Sequence, residues 1–130
     1  DAAARGVHPL ARIVAHATHS QEPEWFTTAP IGAIHKVLEK AGWSLDQVDL
    51  FEINEAFAVV AMAPTRELGI DPAKVNVNGG ACALGHPIGA SGARLVVTLV
   101  NALRKRDAKR GIATLCIGGG EATAIAIELI

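Results

Sequence analysis

The chain has 130 residues, 50% of them hydrophobic and 19% charged, and a formal net charge of −1. This length fits one domain with a single core, and the apolar content excludes a disordered chain. The small net charge argues against a nucleic-acid partner, and we find neither an apolar run long enough to cross a bilayer nor a signal peptide.

The first third of the chain predicts a strand and an amphipathic helix. Residues 1–6 are typical of the last turn of a helix that ends at Gly6. A strand is predicted over 10–19. A helix then begins near Pro30, a residue favoured in the first turn, and ends at Gly42. Its apolar positions share one face, which predicts a surface helix packed on a core: Ile31, Ile34, Leu38 and Ala41.

The middle of the chain predicts a strand over 48–53, which turns at Asn54 into a helix. We expect this helix to break or bend near Pro64, because an interior proline removes a backbone hydrogen bond, and to end at Gly69. Alternating β-branched residues over 75–78 then predict a further strand.

A glycine-rich loop surrounds His86, with five glycines between positions 78 and 94. Glycine permits unusual backbone geometry, so the loop is typical of a binding turn rather than a packed element. The predicted helix over 95–104 begins nearby, and the positive end of its dipole disfavours an imidazolium. A neutral imidazole suits both an oxyanion hole and a base, and the alternative is a structural histidine in a tight turn.

Cys116 closes a predicted buried strand over 111–117 and is followed by a glycine turn. A thiol beside backbone N–H groups can be reactive, although free cysteine is commonly just buried. Asn54, His86 and Cys116 each follow or end a predicted strand, and ligands of open α/β sheets bind at that edge. Because Cys82 and Cys116 make no disulfide framework, we expect a reducing, cytoplasmic setting, with an organelle matrix as the alternative.

The predicted order of elements is β-α-β-α-β-α-β-β, which indicates an α/β fold. We expect a mostly parallel five-stranded sheet whose last strand, 122–130, runs antiparallel to its predecessor. The helix over 95–104 is apolar around most of its circumference. We therefore expect it to lie between this sheet and a layer that the sequence does not contain.

Three motifs resemble the C-terminal motifs of the thiolases, in the order and spacing of that family. They are Asn54-Glu55-Ala56-Phe57, Gly85-His86-Pro87-Ile88-Gly89-Ala90-Ser91-Gly92 and Cys116-Ile117-Gly118-Gly119-Gly120. The residues of these motifs are most similar to those of acetyl-CoA C-acetyltransferases and related short-chain β-ketothiolases. The resemblance implies that residues 1–130 form a thiolase C-terminal domain whose N-terminal partner half is absent.

The resemblance also implies a chemistry, a reversible Claisen condensation or thiolysis of acyl-CoA, with the coenzyme A thioester as substrate and no cofactor or metal required. Cys116 would be the base that takes the α-proton, and His86 would activate the nucleophile and donate to the thioester oxygen. Asn54 would hold the water that completes this oxyanion hole. The backbone N–H of Gly118 would serve a second hole, and Phe57 would border the acyl or pantetheine pocket, with core packing as the alternative.

The family's nucleophilic cysteine is not in this chain, so we expect residues 1–130 alone to be inactive. Cys82 is interpreted as a packing residue. For Cys116 to be a thiolate at neutral pH its pKa must fall, with nearby N–H donors and His86 as the expected causes. The resemblance further implies a homo-oligomer.

Three alternatives remain open at this point. The first is a thiolase for longer 3-ketoacyl-CoA substrates. The second is a β-ketoacyl synthase-like enzyme, although such enzymes do not need a second sulfur at the position of Cys116. The third is a non-catalytic binding or assembly module that keeps the thiolase motifs.

Overall fold

The computed structural model describes residues 2–130 and shows one mixed sheet with helices on both faces. The strands are β1 (Ala11–Ser20), β2 (Leu50–Ile53), β3 (Arg110–Ile117) and β4 (Glu121–Leu129). The helices are α1 (Ala29–Ala41), α2 (Ala58–Glu67), the single turn α3 (Ala81–Leu84) and α4 (Ile88–Lys105). Short 3-10 turns lie at Ala3–Arg5, Pro23–Thr28, Leu45–Gln47 and Pro72–Lys74. No helix within 2–130 is long and apolar enough to span a membrane.

Two apolar clusters fill the two faces of the sheet, because neighbouring residues of a strand point to opposite sides. The first cluster packs α1 against the sheet through Ile34, Val37 and Ile112. The second packs α4 against the other face through Leu95, Leu99 and Ala113. The domain is therefore a helix–sheet–helix sandwich, and the predicted α/β class is confirmed.

The predicted five-stranded, mostly parallel sheet is wrong in two respects. The sheet has four strands in the order β1-β4-β3-β2, and only β2 and β3 pair in parallel. Residues 75–78 form no strand because Asn76 turns the chain at a positive φ of 47°. Its side-chain amide accepts from the Ile53 N–H and donates to the Ile53 C=O, both at 2.8 Å, so beyond the isolated bridge of Val75 to Phe51 a side chain takes the place of a neighbouring strand. The predicted antiparallel course of β4 beside β3 is confirmed.

The helix boundaries follow the local signals closely. Gly42 and Gly69 follow α1 and α2 with a φ of 67° each, as expected of glycines after helices. Gly6, at a φ of 64°, ends a 3-10 turn in the same way, and Asp1 of that predicted turn lies outside the described residues. The predicted break at Pro64 is wrong, because α2 runs through this proline, whose ring is buried against the core.

Helix α4 begins at Ile88, seven residues earlier than expected, and buries one face only. The opposite side remains open, with Val97 60% exposed. Two further apolar side chains lie beside Val97. Leu10, just before β1, is 55% exposed, and Ile13, on β1, is 64% exposed. These side chains line an apolar groove of ≈ 500 Å³ between β1 and α4. The groove fits the expectation that a further layer covers α4.

Candidate active site

The parallel strands β2 and β3 end side by side, and this edge carries the predicted polar residues. Asn54 directly follows β2, and its backbone N–H donates to the C=O of Thr114 on β3 at 3.0 Å. Cys116 lies two residues further along β3. Both side chains are buried, Asn54 completely. The sheet thus brings two of the expected site residues to one edge.

His86 enters this edge from the loop before α4. Gly85 precedes it at a φ of 90°, a conformation that favours glycine. The imidazole Nδ1 lies 2.6 Å from the Ser91 hydroxyl, and Nε2 lies 3.4 Å from the Asn54 amide nitrogen. The Ser91 hydroxyl in turn donates to the Pro87 C=O at 3.1 Å. His86 is therefore held at both ring nitrogens, and one of its partners is Asn54.

A buried ion pair stands behind Asn54. The Arg94 guanidinium donates to the Asn54 Oδ1 at 3.3 Å and to a Glu52 carboxylate oxygen at 3.1 Å. Glu52 is only 1% exposed, and its second oxygen has no partner among the described residues. Burial raises the pKa of Glu52 from 4.5 to about 7, against the opposing effect of Arg94.

We did not predict this pair from the sequence, although two signals were available. Glu52 is an acidic residue inside the otherwise apolar strand Leu50–Ile53, and a buried charge requires a partner. Arg94 follows Ser91 by three residues in α4, so both lie on the same side of that helix.

Cys116 does not have the lowered pKa that we expected. Burial raises the pKa of its thiol, and only a backbone N–H opposes this effect. No side chain within residues 2–130 hydrogen-bonds to the sulfur, His86 included. With one backbone N–H as donor and no side-chain donor or positive charge, desolvation has the larger effect on the pKa of this thiol.

The remaining predicted positions are exposed. Gly118 lies in the turn between β3 and β4, open to solvent. Phe57 is 59% exposed and packs edge-on against Phe26, with ring centroids 6.3 Å apart. Phe57 is thus not a core residue of this chain, and its ring is available to line a pocket.

Glu55 is a second residue that our sequence reasoning overlooked. Its carboxylate accepts from the Cys82 backbone N–H at 3.0 Å and from the Asn76 amide at 3.2 Å. It therefore ties the end of β2 to the loop that leads to His86. Cys82 itself is exposed, so its interpretation as a packing residue is wrong for this chain. Desolvation and Glu55 raise the pKa of the Cys82 thiol.

Comparison with known proteins identifies the class. The family model described as "Thiolase, C-terminal domain" matches residues 7–129. The chain belongs to the thiolase family. It is 56% identical over 98% of its length to the acetyl-CoA acetyltransferase of Paracoccus denitrificans, and 52% identical over 98% to the cytosolic acetyl-CoA acetyltransferase of Mus musculus. It covers 33% and 32% of these two proteins, so it spans about a third of the length of the curated relatives it matches.

Two solved structures share the fold over 99% of this chain. The Bacillus anthracis acetyl-CoA acetyltransferase superimposes with a TM-score of 0.96 at 48% identity. The human mitochondrial 3-ketoacyl-CoA thiolase gives the same TM-score of 0.96 at 44% identity. The chain covers 33% of each of these structures.

Proposed function

We propose that this chain is the C-terminal catalytic half of a thiolase of the acetyl-CoA acetyltransferase type, which condenses or cleaves acyl-CoA thioesters reversibly. The observation that carries the proposal is the meeting of Asn54 and His86, 3.4 Å apart, at the sheet edge where Cys116 ends the neighbouring strand. The names of the relatives support the acetyl-CoA branch. The thiolase family match favours this function over that of a β-ketoacyl synthase.

In the proposed reaction, a cysteine from the rest of the protein attacks the thioester carbonyl, and the His86 Nε2 takes its proton. The resulting imidazolium donates to the carbonyl oxygen as negative charge develops there, together with a water held by Asn54. The coenzyme A thiolate leaves, and the acyl group stays on the nucleophile. The Gly118 N–H serves the second oxyanion hole, and Phe57 borders the acyl or pantetheine pocket.

Cys116 acts in both halves of this reaction. The raised pKa of its thiol suits a group that first gives its proton to the departing coenzyme A thiolate. The Cys116 thiolate so formed takes the α-proton of the second acyl-CoA. The carbanion then attacks the acyl-enzyme and releases the nucleophile as the 3-ketoacyl-CoA forms. In thiolysis the same steps run in reverse.

The proposal includes a partner half and a location. An N-terminal half-domain would supply the nucleophile and cover the groove between β1 and α4, and the whole protein would be a homo-oligomer. The one-third coverage of the relatives supports a missing partner segment. The relative named as cytosolic supports a cytoplasmic location, with coenzyme A thioesters as substrates and no further cofactor.

A thiolysis assay on the intact protein tests the proposal. We expect cleavage of acetoacetyl-CoA by coenzyme A, faster than cleavage of a longer 3-ketoacyl-CoA. Preference for the longer substrate would favour the second candidate, a longer-chain thiolase, which the equal TM-score of the human 3-ketoacyl-CoA thiolase supports. If no 3-ketoacyl-CoA of any acyl-chain length is turned over, the proposed function is refuted and the non-catalytic binding or assembly module is favoured.

A further inference from the structure

The orientation of the Asn54 amide is fixed by its contact with Arg94. The two ends of an amide differ only in being donor or acceptor, and that assignment follows from their partners. Arg94 is the informative partner, because a guanidinium carries donors and no acceptor. It lies 3.3 Å from Oδ1, so the amide oxygen faces Arg94 and the amide nitrogen faces His86.

This orientation determines which nitrogen of His86 carries the proton. The Asn54 Nδ2 only donates, so the His86 Nε2, 3.4 Å away, is matched to it as an unprotonated acceptor. The proton of the neutral ring then sits on Nδ1, which donates to the Ser91 hydroxyl at 2.6 Å. The Ser91 hydroxyl in turn donates a hydrogen bond to the Pro87 C=O. The hydrogen bonds thus form one chain in which each group donates to the next, from Arg94 through Asn54 and His86 to Ser91.

Arg94 is itself held in place by the sheet. Its second nitrogen donates to Glu52 at 3.1 Å, and the side chains are 22% and 1% exposed. Glu52 precedes Asn54 by two residues, so both side chains leave the chain on the same face. The guanidinium thus bridges two neighbouring positions of one rigid segment, which restricts where it can point.

We propose that Arg94 is a positioning residue that sets the tautomer of His86 through the Asn54 amide. With Arg94 in place, Nε2 of the resting enzyme is free of a proton and ready to take one. Without it, the amide can rotate, Oδ1 can accept from His86, and the Nε2–H tautomer becomes populated. This inference rests on the proposed function only for its consequence, since the tautomer itself exists with or without catalysis.

The tautomer is measured directly by magic-angle-spinning NMR on the sedimented intact protein, labelled with ¹³C and ¹⁵N in histidine. The His86 signals are identified by their loss in His86→Gln. The test variant is Glu52→Gln/Arg94→Gln, which removes the guanidinium without leaving a lone buried carboxylate. The matched control is Glu52→Gln, which keeps the guanidinium beside Asn54. Asn54→Asp gives the reference for a protonated Nε2, because a carboxylate only accepts.

We expect a protonated Nδ1 in the wild type and in Glu52→Gln, and a shift toward protonated Nε2 in the double variant. A protonated Nε2 in the neutral wild-type ring would overturn the proposal, and this result does not require the double variant to fold. An unchanged tautomer in the folded double variant would also overturn it. So would an equal shift in Glu52→Gln, since the ion pair rather than the amide contact would then be responsible.

Measurement of kcat and KM distinguishes a loss of His86 positioning from a general disruption of the structure. We expect kcat of the double variant to fall by about 10- to 100-fold, no more than the lower end of the 10²–10⁴-fold that a general base contributes, at an unchanged KM. Glu52→Gln, whose side-chain oxygen can still accept from Arg94, should lose less kcat than the double variant. A tautomer shift in a protein without thiolysis would leave the positioning role standing and refute the proposed function. Full activity with a shifted tautomer would leave the control of the tautomer standing and refute its proposed consequence for catalysis.

Discussion

At the residue scale, burial has the largest effect on the pKa of two acidic groups at the candidate site, Glu52 and Cys116. The pKa values of Glu52 and Cys116 are both raised because each is desolvated, and neither has enough donors to compensate. For Glu52 the opposing partner is Arg94, and Glu55 adds a smaller effect in the raising direction. For Cys116 the opposing partner is a single backbone N–H.

Glu52 should make the folded state less stable as the pH rises from 4.5 to about 7. Between these values the folded protein keeps a proton that the unfolded chain has released, so the free energy of unfolding falls with pH. In Glu52→Gln this part of the decline should be absent, as measured from urea denaturation midpoints across that range. Identical pH slopes in the two proteins would contradict the raised pKa.

Glu128 offers a control, because its pKa is shifted in the direction opposite to that of Glu52. Hydrogen bonds from Arg12 and Arg110 lower its pKa, so its stabilising effect is present at neutral pH and is lost as the pH falls below the ordinary value. Glu128→Gln should therefore change the acid side of the stability profile and leave the slope between 4.5 and about 7 unaltered.

Cys116→Ser should separate the two half-reactions of the proposed mechanism. A serine hydroxyl is too weak an acid to supply the base at neutral pH, so condensation should fall by about 10²-fold or more. Transfer of the acyl group to the nucleophile should persist, because the coenzyme A thiolate can leave without a proton from Cys116. Rapid-quench trapping of the acyl-enzyme in the intact protein measures both steps. Equal loss of the two steps would mean that Cys116 is not the α-proton base.

At the scale of elements, the end of β2 organises the loop that carries His86. The residues after β2 reach this loop twice, through the Asn54 amide and through the Glu55 carboxylate. Asn76 adds a third tie by pairing with the backbone of Ile53 and with Glu55. The loop is therefore held by side chains of β2 and its turn, together with the isolated backbone bridge of Val75 to Phe51.

Gly80→Ala tests this arrangement. A Cβ at Gly80 would lie 2.5 Å from the Glu55 carboxylate, so Glu55 must move away and lose its bond to the Cys82 N–H. We expect a loss of about 1–3 kcal/mol in unfolding free energy, as for a charge-assisted hydrogen bond. Gly89→Ala is the control, because a Cβ there has open space at the start of α4. In a Glu55→Ala background the cost of Gly80→Ala should vanish, and a persistent cost would refute the contact.

At the scale of the whole molecule, the groove between β1 and α4 is a departure from a self-contained domain. Leu10, Ile13 and Val97 are each more than half exposed along it. Burying one such side chain contributes about 1.5–3 kcal/mol, and contiguous apolar surface of this kind normally marks an interface.

The 130-residue chain by itself should therefore associate or aggregate through this groove, and it should show no thiolase activity. Val97→Glu should reduce the association, whereas Val59→Glu, at a 50% exposed position on α2, should not. Sedimentation velocity at micromolar concentration, with a thiolysis assay on the same sample, measures both properties. A wild-type chain that remains monomeric would contradict the interface, and turnover that depends on Cys82 would contradict the missing nucleophile.

The sequence by itself determined what depends on neighbouring residues. Glycines after helices, apolar periodicity and the order of the motifs predicted α1, β3 and β4, and they marked Asn54, His86 and Cys116 as candidates for one site. Each of these signals lies within a few residues of the feature it predicts, or in a motif long enough to be specific.

Only the tertiary structure decided the features that depend on distant pairs. Arg94 meets Asn54 across 40 residues of sequence, and Glu52 across 42. Asn76 takes the place of a predicted strand because its amide reaches Ile53, 23 residues away. The pKa of Cys116 rises because of what surrounds the thiol after folding. Hydrogen-bond direction and desolvation are set by neighbours in space, and the local sequence carries no record of them.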